Sequence, residues 1–172
     1  MAFRYVEYQD IIAIAEVKAE PAFILILDNL EDPRNFGAIL RSAEAAGVHG
    51  VIIPKRRSVQ VTDTVHRTST GAVDMIPIAQ VSNINETITR LKKKEIWVAG
   101  MEASGAQDYR EADYKMPTAL VIGSEGNGIS HLTKEMCDYM VKIPMKGQIT
   151  SLNASVAASL LMYEVVRQRD GF

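Results

Sequence analysis

Short runs of β-branched and aliphatic residues alternate along the chain with segments of helical periodicity. The runs are Phe23 to Asp28, Gly50 to Pro54, Ile96 to Gly100, Ala119 to Gly123 and Tyr139 to Pro144, each ending in polar or glycine-rich residues. Continuous apolar runs of this length predict strands covered on both faces. Helical patterns lie between them at Phe36 to Ala46, Asn83 to Lys94 and Ser130 to Asp138, and Asn83 with Glu86 has the spacing of a capping box. A last helical pattern runs from Asn153 to Arg169. Its Ala154, Ser155, Ala157, Ala158 and Ser159 keep the first turns narrow, which permits close approach of another backbone. Met1 to Pro21 reads as a lead-in helix. Strands alternating with helices predict an α/β fold around a mostly parallel sheet.

Composition changes this picture little. With 172 residues, 47% of them hydrophobic, the chain is the size of one globular domain with its own core. Nineteen Lys and Arg against 21 Asp and Glu leave a formal charge of -2, so any contact with a polyanion must come from local patches. The first ten residues contain no apolar signal core, and no later stretch approaches the ~18 unbroken apolar residues of a membrane span. The expectation is a soluble cytoplasmic protein with no membrane partner. Cys137 is the only cysteine and reads as a small buried hydrophobe. His49, His66 and His131 are too scattered for a metal-ligand spacing, and no metal is expected.

Three segments carry candidate chemistry. The first runs from Leu27 through Asp28, Pro33, Asn35 and Gly37 to Arg41 and Ser42: a strand end, a proline turn and a helix. Asn35 could simply cap that helix, and Arg41 could pair on the surface with Glu44 or Glu31. Alternatively, Arg41 places a guanidinium near a strand's C-terminal edge, where open sheets bind ligands, and can grip a phosphate bidentately. The second segment, Ala119 to Ile129, empties a buried strand into Gly123-Ser124-Glu125-Gly126-Asn127-Gly128. Glycines there let a ligand approach the backbone. The G-x-x-G-x-G spacing, the late position in the chain and the lack of a following lysine make Rossmann and P-loop assignments poor ones. Glu125 is either a turn residue facing water or a carboxylate aimed at a ligand. The third segment, Ile143 to Ser155, joins a strand to the terminal helix. Ser151 or Asn153 could cap that helix, or the loop's free backbone groups could hydrogen-bond an adenine edge between Ile143 and Leu152.

Taken together, Asn35-x-Gly37-x-x-x-Arg41, Gly123-x-Glu125-Gly126-x-Gly128 and Ile143-Pro144-Met145 with Ser151-Leu152-Asn153-x-Ser155 resemble the three ordered motifs of the SpoU (TrmH-type) branch of the SPOUT methyltransferases. The resemblance covers Phe23 to Arg169. It implies a mostly parallel sheet flanked by helices, a deep trefoil knot in the C-terminal third and an obligate homodimer. It also implies S-adenosylmethionine-dependent 2′-O-methylation of a ribose in structured RNA, without a metal. The branch it most resembles modifies a guanosine of 23S ribosomal RNA and carries an N-terminal RNA-binding domain. That domain would precede a lead-in at residues 1–21 and a catalytic domain at 22–172. A tRNA 2′-O-methyltransferase and a catalytically silent RNA-binding homologue are the alternatives.

Carried over by position, Asn35, Arg41, Glu125, Ser151 and Asn153 form the implied catalytic constellation. Gly123, Ile143, Met145, Gly147 and Leu152 are the implied contacts of the methyl donor. Arg34, Lys55, Arg56, Arg57 and Arg67, the last beside His66, are candidates for RNA phosphates, or else a solvated charged surface. Lys92, Lys93 and Lys94 complement the dipole at a helix C-terminus.

Overall fold

The computed structural model describes residues 3–105, 107–124 and 128–172. Its centre is β1 (Phe23–Leu27), five apolar residues that are all buried. On one side β1 pairs with β2 (Gly50–Pro54), which pairs in turn with β3 (Ile78–Val81). On the other side lie β4 (Trp97–Met101), β5 (Gln107–Asp108), β6 (Thr118–Ile122) and β7 (Tyr139–Lys142). Across the sheet the order is β3-β2-β1-β6-β4-β7-β5, and every pairing is parallel. A purely parallel sheet needs cover on both faces, which explains strands without apolar–polar alternation.

Successive residues of β1 serve opposite faces. Phe23, Leu25 and Leu27 join a core with residues of α2 (Pro33–Ala46), α3 (Asp63–Thr68) and α6 (Ala154–Asp170). Ile24 and Ile26 join a second core with residues of α1 (Tyr8–Val17) and α4 (Ile84–Lys93), while Met136, the last residue of α5 (His131–Met136), packs against it. The result is a three-layer α/β/α sandwich.

Several boundaries differ from the sequence reading, each for a local reason. Helix α2 starts three residues before Phe36, because Asp32 accepts the Arg34 N–H at 2.8 Å and Pro33 takes the first helical position. Asn35 is therefore inside the first turn and does not cap the helix. Gly47, at φ 79°, closes α2 in the left-handed conformation that glycine adopts without strain. Asn83 does cap α4, accepting the Glu86 N–H at 3.0 Å. Of the two candidate caps for α6, Asn153 fills the position.

Strands β3 and β5 and helix α3 were not foreseen. They are four, two and six residues long, too short for a period to emerge, and α3 buries only Val65. Gly37 owes its place to α3. A Cβ there would lie 1.8 Å from Thr68 Oγ1 and 3.0 Å from the Ser69 nitrogen. The lead-in residues pack onto the sheet: Val6 bridges to Ala79 in parallel, and Ile11 is fully buried where a Cβ on Gly50 would come within 2.5 Å of it.

Two polar clusters tie the termini of the elements together at the end of the sheet where β1 and β6 begin. Buried His49 accepts the Phe23 N–H on Nδ1 at 2.9 Å, so its ring proton sits on Nε2, which donates to Glu20 at 3.0 Å. That hydrogen bond is the main reason the Glu20 carboxyl titrates below its ordinary value of 4.5. A lowered carboxyl favours folding above the unfolded-state value and loses that contribution as pH falls through the folded one. Glu20→Gln should therefore flatten the acid limb of a stability-versus-pH curve, measured by urea midpoints from neutral pH down through the carboxylate range.

The second cluster centres on Arg169. Its guanidinium donates to the carbonyls of Tyr114 (3.0 Å), Pro21 (2.8 Å), Ala22 (3.0 Å) and Met116 (3.1 Å), and lies 5.2 Å from the centre of the Phe23 ring. One side chain thus joins the end of α6 to the entries of β1 and β6. Hydrogen bonds from a charged donor are worth about 1.5–3 kcal/mol each, non-additively, so Arg169→Ala should cost about 3 kcal/mol. Arg169→Lys, lacking the planar fork, should recover less than half of that in the urea unfolding midpoint.

Candidate active site

Strands β6, β4 and β7 are neighbours in the sheet although their sequences are far apart. Their C-terminal ends, the edge where parallel sheets bind ligands, therefore emit three loops side by side. These loops enclose a cleft of about 330 Å³. Its walls are Met101 to Ser104 after β4, Ile122 to Ser124 with Gly128 after β6, and Ile143, Met145 and Thr150 to Leu152 after β7. Ala154 and Ala157, on the narrow first turns of α6, complete it. Small-molecule sites occupy about 300–1,000 Å³, so the cleft suits a nucleoside-sized ligand.

Local sequence explains the shape of each wall. After β6 the chain doubles back: Ser124 bridges to Gly128, whose N–H donates to the Ser124 carbonyl at 2.8 Å. Gly128 has φ +60°, and a Cβ on Gly123 would stand 2.2 Å from the Gly128 carbonyl carbon. Both positions demand glycine. The returning chain is pinned to β1, because buried Asp28 accepts the Ser130 N–H at 2.9 Å. After β4, the Glu102 N–H donates to the Val141 carbonyl and the Gly105 N–H to the Glu102 carbonyl, both at 3.0 Å. This loop is fastened along β7.

Of the residues singled out from the sequence, Gly123, Ile143, Met145, Ser151 and Leu152 line the cleft together. Gly147 is exposed in the same loop but does not border it. Asn153 stands at the rim as the α6 cap, its Oδ1 accepting the N–H groups of Ser155 (2.9 Å) and Val156 (3.4 Å) and the Ser155 hydroxyl. Asn35 and Arg41 do not border the cleft within this chain. Asn35 is half-buried in the first turn of α2, and Arg41 is exposed on the same helix, forming no ion pair with Glu44, Glu31 or another described residue. Glu125 lies outside the described residues.

The candidate RNA contacts divide. Arg34 begins α2, and Lys55, Arg56 and Arg57 follow β2, so all four are exposed at the same sheet edge as the cleft. Arg67 is exposed on α3, where it donates to Thr64 Oγ1 at 3.3 Å. Lys92 has a tertiary role rather than only a helix-end one: its ammonium donates to the Met136 carbonyl at 3.1 Å and pairs with Asp138 at 3.6 Å. Cys137 is half-buried rather than fully enclosed, and burial pushes its thiol up to about 12. Such a thiol is unreactive at neutral pH.

Sequence reasoning missed Glu102, Ser104 and Thr150. The usable signal for the first two was position, since they leave a buried strand at the same edge as the glycine loop. Among the described residues no group of three His, Cys, Asp or Glu could hold a metal ion, and no helix is long and apolar enough to cross a membrane.

A three-layer sandwich with a small-molecule cleft at the C-terminal ends of adjacent parallel strands is a ligand-binding α/β domain. Residues 22–163 match the model of the SpoU rRNA methylase family. The chain is 54% identical over 169 residues, 98% of its length, to YacO of Bacillus subtilis, a protein assigned to the TrmH family of tRNA/rRNA methyltransferases, and covers 68% of that relative. The solved SpoU methyltransferase AviRb of Streptomyces viridochromogenes, in complex with the cofactor AdoMet, superposes with a TM-score of 0.83 at 34% identity over 89% of this chain. This chain spans 62% of AviRb. The A. aeolicus TrmH/SpoU tRNA modifying enzyme superposes with a TM-score of 0.79 at 29% identity, over 95% of this chain and 84% of that one. The chain belongs to the SpoU family of RNA methyltransferases.

Proposed function

We propose that this protein transfers the methyl group of S-adenosylmethionine to a ribose 2′-hydroxyl of structured RNA, a guanosine of 23S ribosomal RNA being the first candidate. The observation that carries this reading is the convergence of three sequence-distant loops into one cleft lined by Gly123, Ile143, Met145, Ser151 and Leu152. The cleft supplies what such a donor requires: backbone brought close by glycine, apolar walls from Ile143 and Leu152, and adequate volume. AviRb, of the same family and fold, was solved with AdoMet bound.

The donor's sulfonium supplies an electrophilic methyl carbon, so the protein must align a ribose oxygen with it and help a proton leave. Asn35, Arg41, Glu125, Ser151 and Asn153 are assigned to that reacting end. A guanidinium stays protonated at neutral pH, which makes Arg41 an anchor for the neighbouring phosphate and a stabiliser of charge on the oxygen rather than a base. Arg34, Lys55, Arg56, Arg57 and Arg67 present exposed positive charge to the RNA backbone.

In this reading the protein acts as a cytoplasmic homodimer. Residues 22–172 form the catalytic domain, with the C-terminal knot that the family resemblance implies, and residues 1–21 lead into it from an RNA-binding domain. Support for the dimer comes from a groove between α2 and α6 lined by Ala38, Ser42, Val156, Leu160 and Tyr163. There Val156, Leu160 and Tyr163 are 49%, 41% and 47% exposed, an apolar stripe without cover. Arg41 adjoins Ser42 beside this groove, so a second copy seated there would lie next to Arg41, and in this reading the arginine serves that copy's cleft rather than its own.

The deciding experiment is tritium transfer from labelled S-adenosylmethionine to unmodified total RNA, followed by mapping of reverse-transcription stops. Label in a 2′-O-methylguanosine of 23S RNA supports the proposal. Stops in tRNA favour the second reading, for which the high mutual coverage with the A. aeolicus tRNA modifying enzyme speaks. Binding of RNA without transfer of label would indicate a silent homologue.

A further inference from the structure

Glu102 is the only charged residue among the described residues lining the cleft. Its backbone is locked on both sides, the N–H by the Val141 carbonyl and the carbonyl by the Gly105 N–H. Gly105 itself is pressed so close to β7 that a Cβ would sit 2.7 Å from the Val141 oxygen. One carboxylate oxygen, Oε2, is shielded from solvent and meets the Lys134 ammonium of α5 at 2.6 Å, as an ion pair rather than an aligned hydrogen bond. The other, Oε1, has no partner among the described residues. A carboxylate half-neutralised by a lysine through one oxygen, the other without a partner among the described residues, on the lining of a nucleoside-sized cleft, is suited to accept hydrogen bonds from a neutral ligand group.

We infer that Glu102 accepts hydrogen bonds from the ribose diol of the methyl donor, making it a specificity residue for the adenosyl moiety, and that Lys134 is its positioning residue. This rests on the cleft being the donor site. The chemistry matches how nucleotide folds use an acidic side chain at a strand end to hold ribose hydroxyls. Hydroxyl donors are the preferred partners because the other described walls of the cleft, mainly apolar or hydroxyl-bearing, offer the diol no second charged acceptor. An ammonium or guanidinium ligand would compete with Lys134 for the same carboxylate, whereas a diol leaves that pair in place.

The test is calorimetric binding of S-adenosylhomocysteine and of its 2′,3′-dideoxyribose analogue to the full chain. Hydrogen bonds to a carboxylate predict that wild type prefers the diol by about 10- to 100-fold. Glu102→Ala should bring the two affinities together, and Glu102→Gln, which keeps shape and one acceptor, should retain part of the preference. Lys134→Met should lower the preference without abolishing binding, a change that a purely structural role for Lys134 would not produce because both ligands would weaken equally. If wild type binds neither ligand, the assignment of the cleft itself falls, and this inference with it. If wild type binds S-adenosylhomocysteine and Glu102→Ala or Glu102→Gln keeps the full preference, the cleft stands and the role given to Glu102 is overturned.

Discussion

Gly123→Ala is expected to weaken binding of S-adenosylhomocysteine by at least about 100-fold, because misplacing a binding wall by an ångström has effects of that order. The added Cβ would stand 2.2 Å from the Gly128 carbonyl carbon, 2.3 Å from its oxygen and 2.5 Å from the Ile129 nitrogen. All three are backbone atoms, so no rotamer change relieves the contact and the returning strand must move outward. Movement there unseats the Ser124 to Gly128 bridge that forms one wall of the cleft. The sheet itself should persist, since Ile122 is the last residue of β6 and its pairing with Leu27 precedes the clash. Titration calorimetry with far-UV dichroism on the same sample checks both halves. Undiminished affinity in a folded variant would show that the loop after β6 does not hold the donor.

Much of this cleft was legible in the chain because glycine placement reports backbone proximity directly. Gly123, Gly128 and the strand before them were visible as a buried run emptying into a glycine-rich segment, and the close approach of the two glycines is what their lack of a side chain permits. The central strands were legible for a similar reason: a residue such as Leu25, buried on a parallel strand, cannot alternate with polar neighbours. What sequence could not show was adjacency. Nothing local places β4 between β6 and β7, so Glu102 and Ser104 stood apart from the glycine loop until the strand order brought them beside it. Short elements were invisible for want of a period, as with β3 and α3. Gly37, by contrast, looked like part of a chemical motif, and its contact with Thr68 gives it a packing role that the motif alone would hide. Asn35 was displaced as the cap of α2 because Asp32 followed by Pro33 is the stronger helix start.

Arg41→Ala should lower methyl transfer by about 100- to 1,000-fold, the effect of removing one preorganised donor to a developing oxyanion, with little change in the affinity for S-adenosylhomocysteine. The two quantities separate because Arg41 does not border the cleft of its own chain, whereas Gly123 does. If a second copy seated on the α2/α6 groove supplies the arginine, each active site draws its cleft from one chain and its guanidinium from the other. A heterodimer of an Arg41→Ala chain with a Gly123→Ala chain then contains one site with both defects and one with neither. Random re-pairing makes half the dimers mixed, each with one of its two sites intact, so mixing the two impaired variants, at a donor concentration too low to load Gly123→Ala, should restore about a quarter of wild-type turnover. The same mixture stays inactive if Arg41 serves its own cleft, since every site then carries one defect or the other. Leu160→Glu in both chains should abolish the rescue by placing a charge in the exposed apolar stripe of α6. Sedimentation velocity of that variant distinguishes a failure to pair from a failure to fold. Rescue at the expected level would place the reacting groups across a twofold interface, and would explain why α2 holds an arginine with no ion pair among the described residues at a surface otherwise suited to burial.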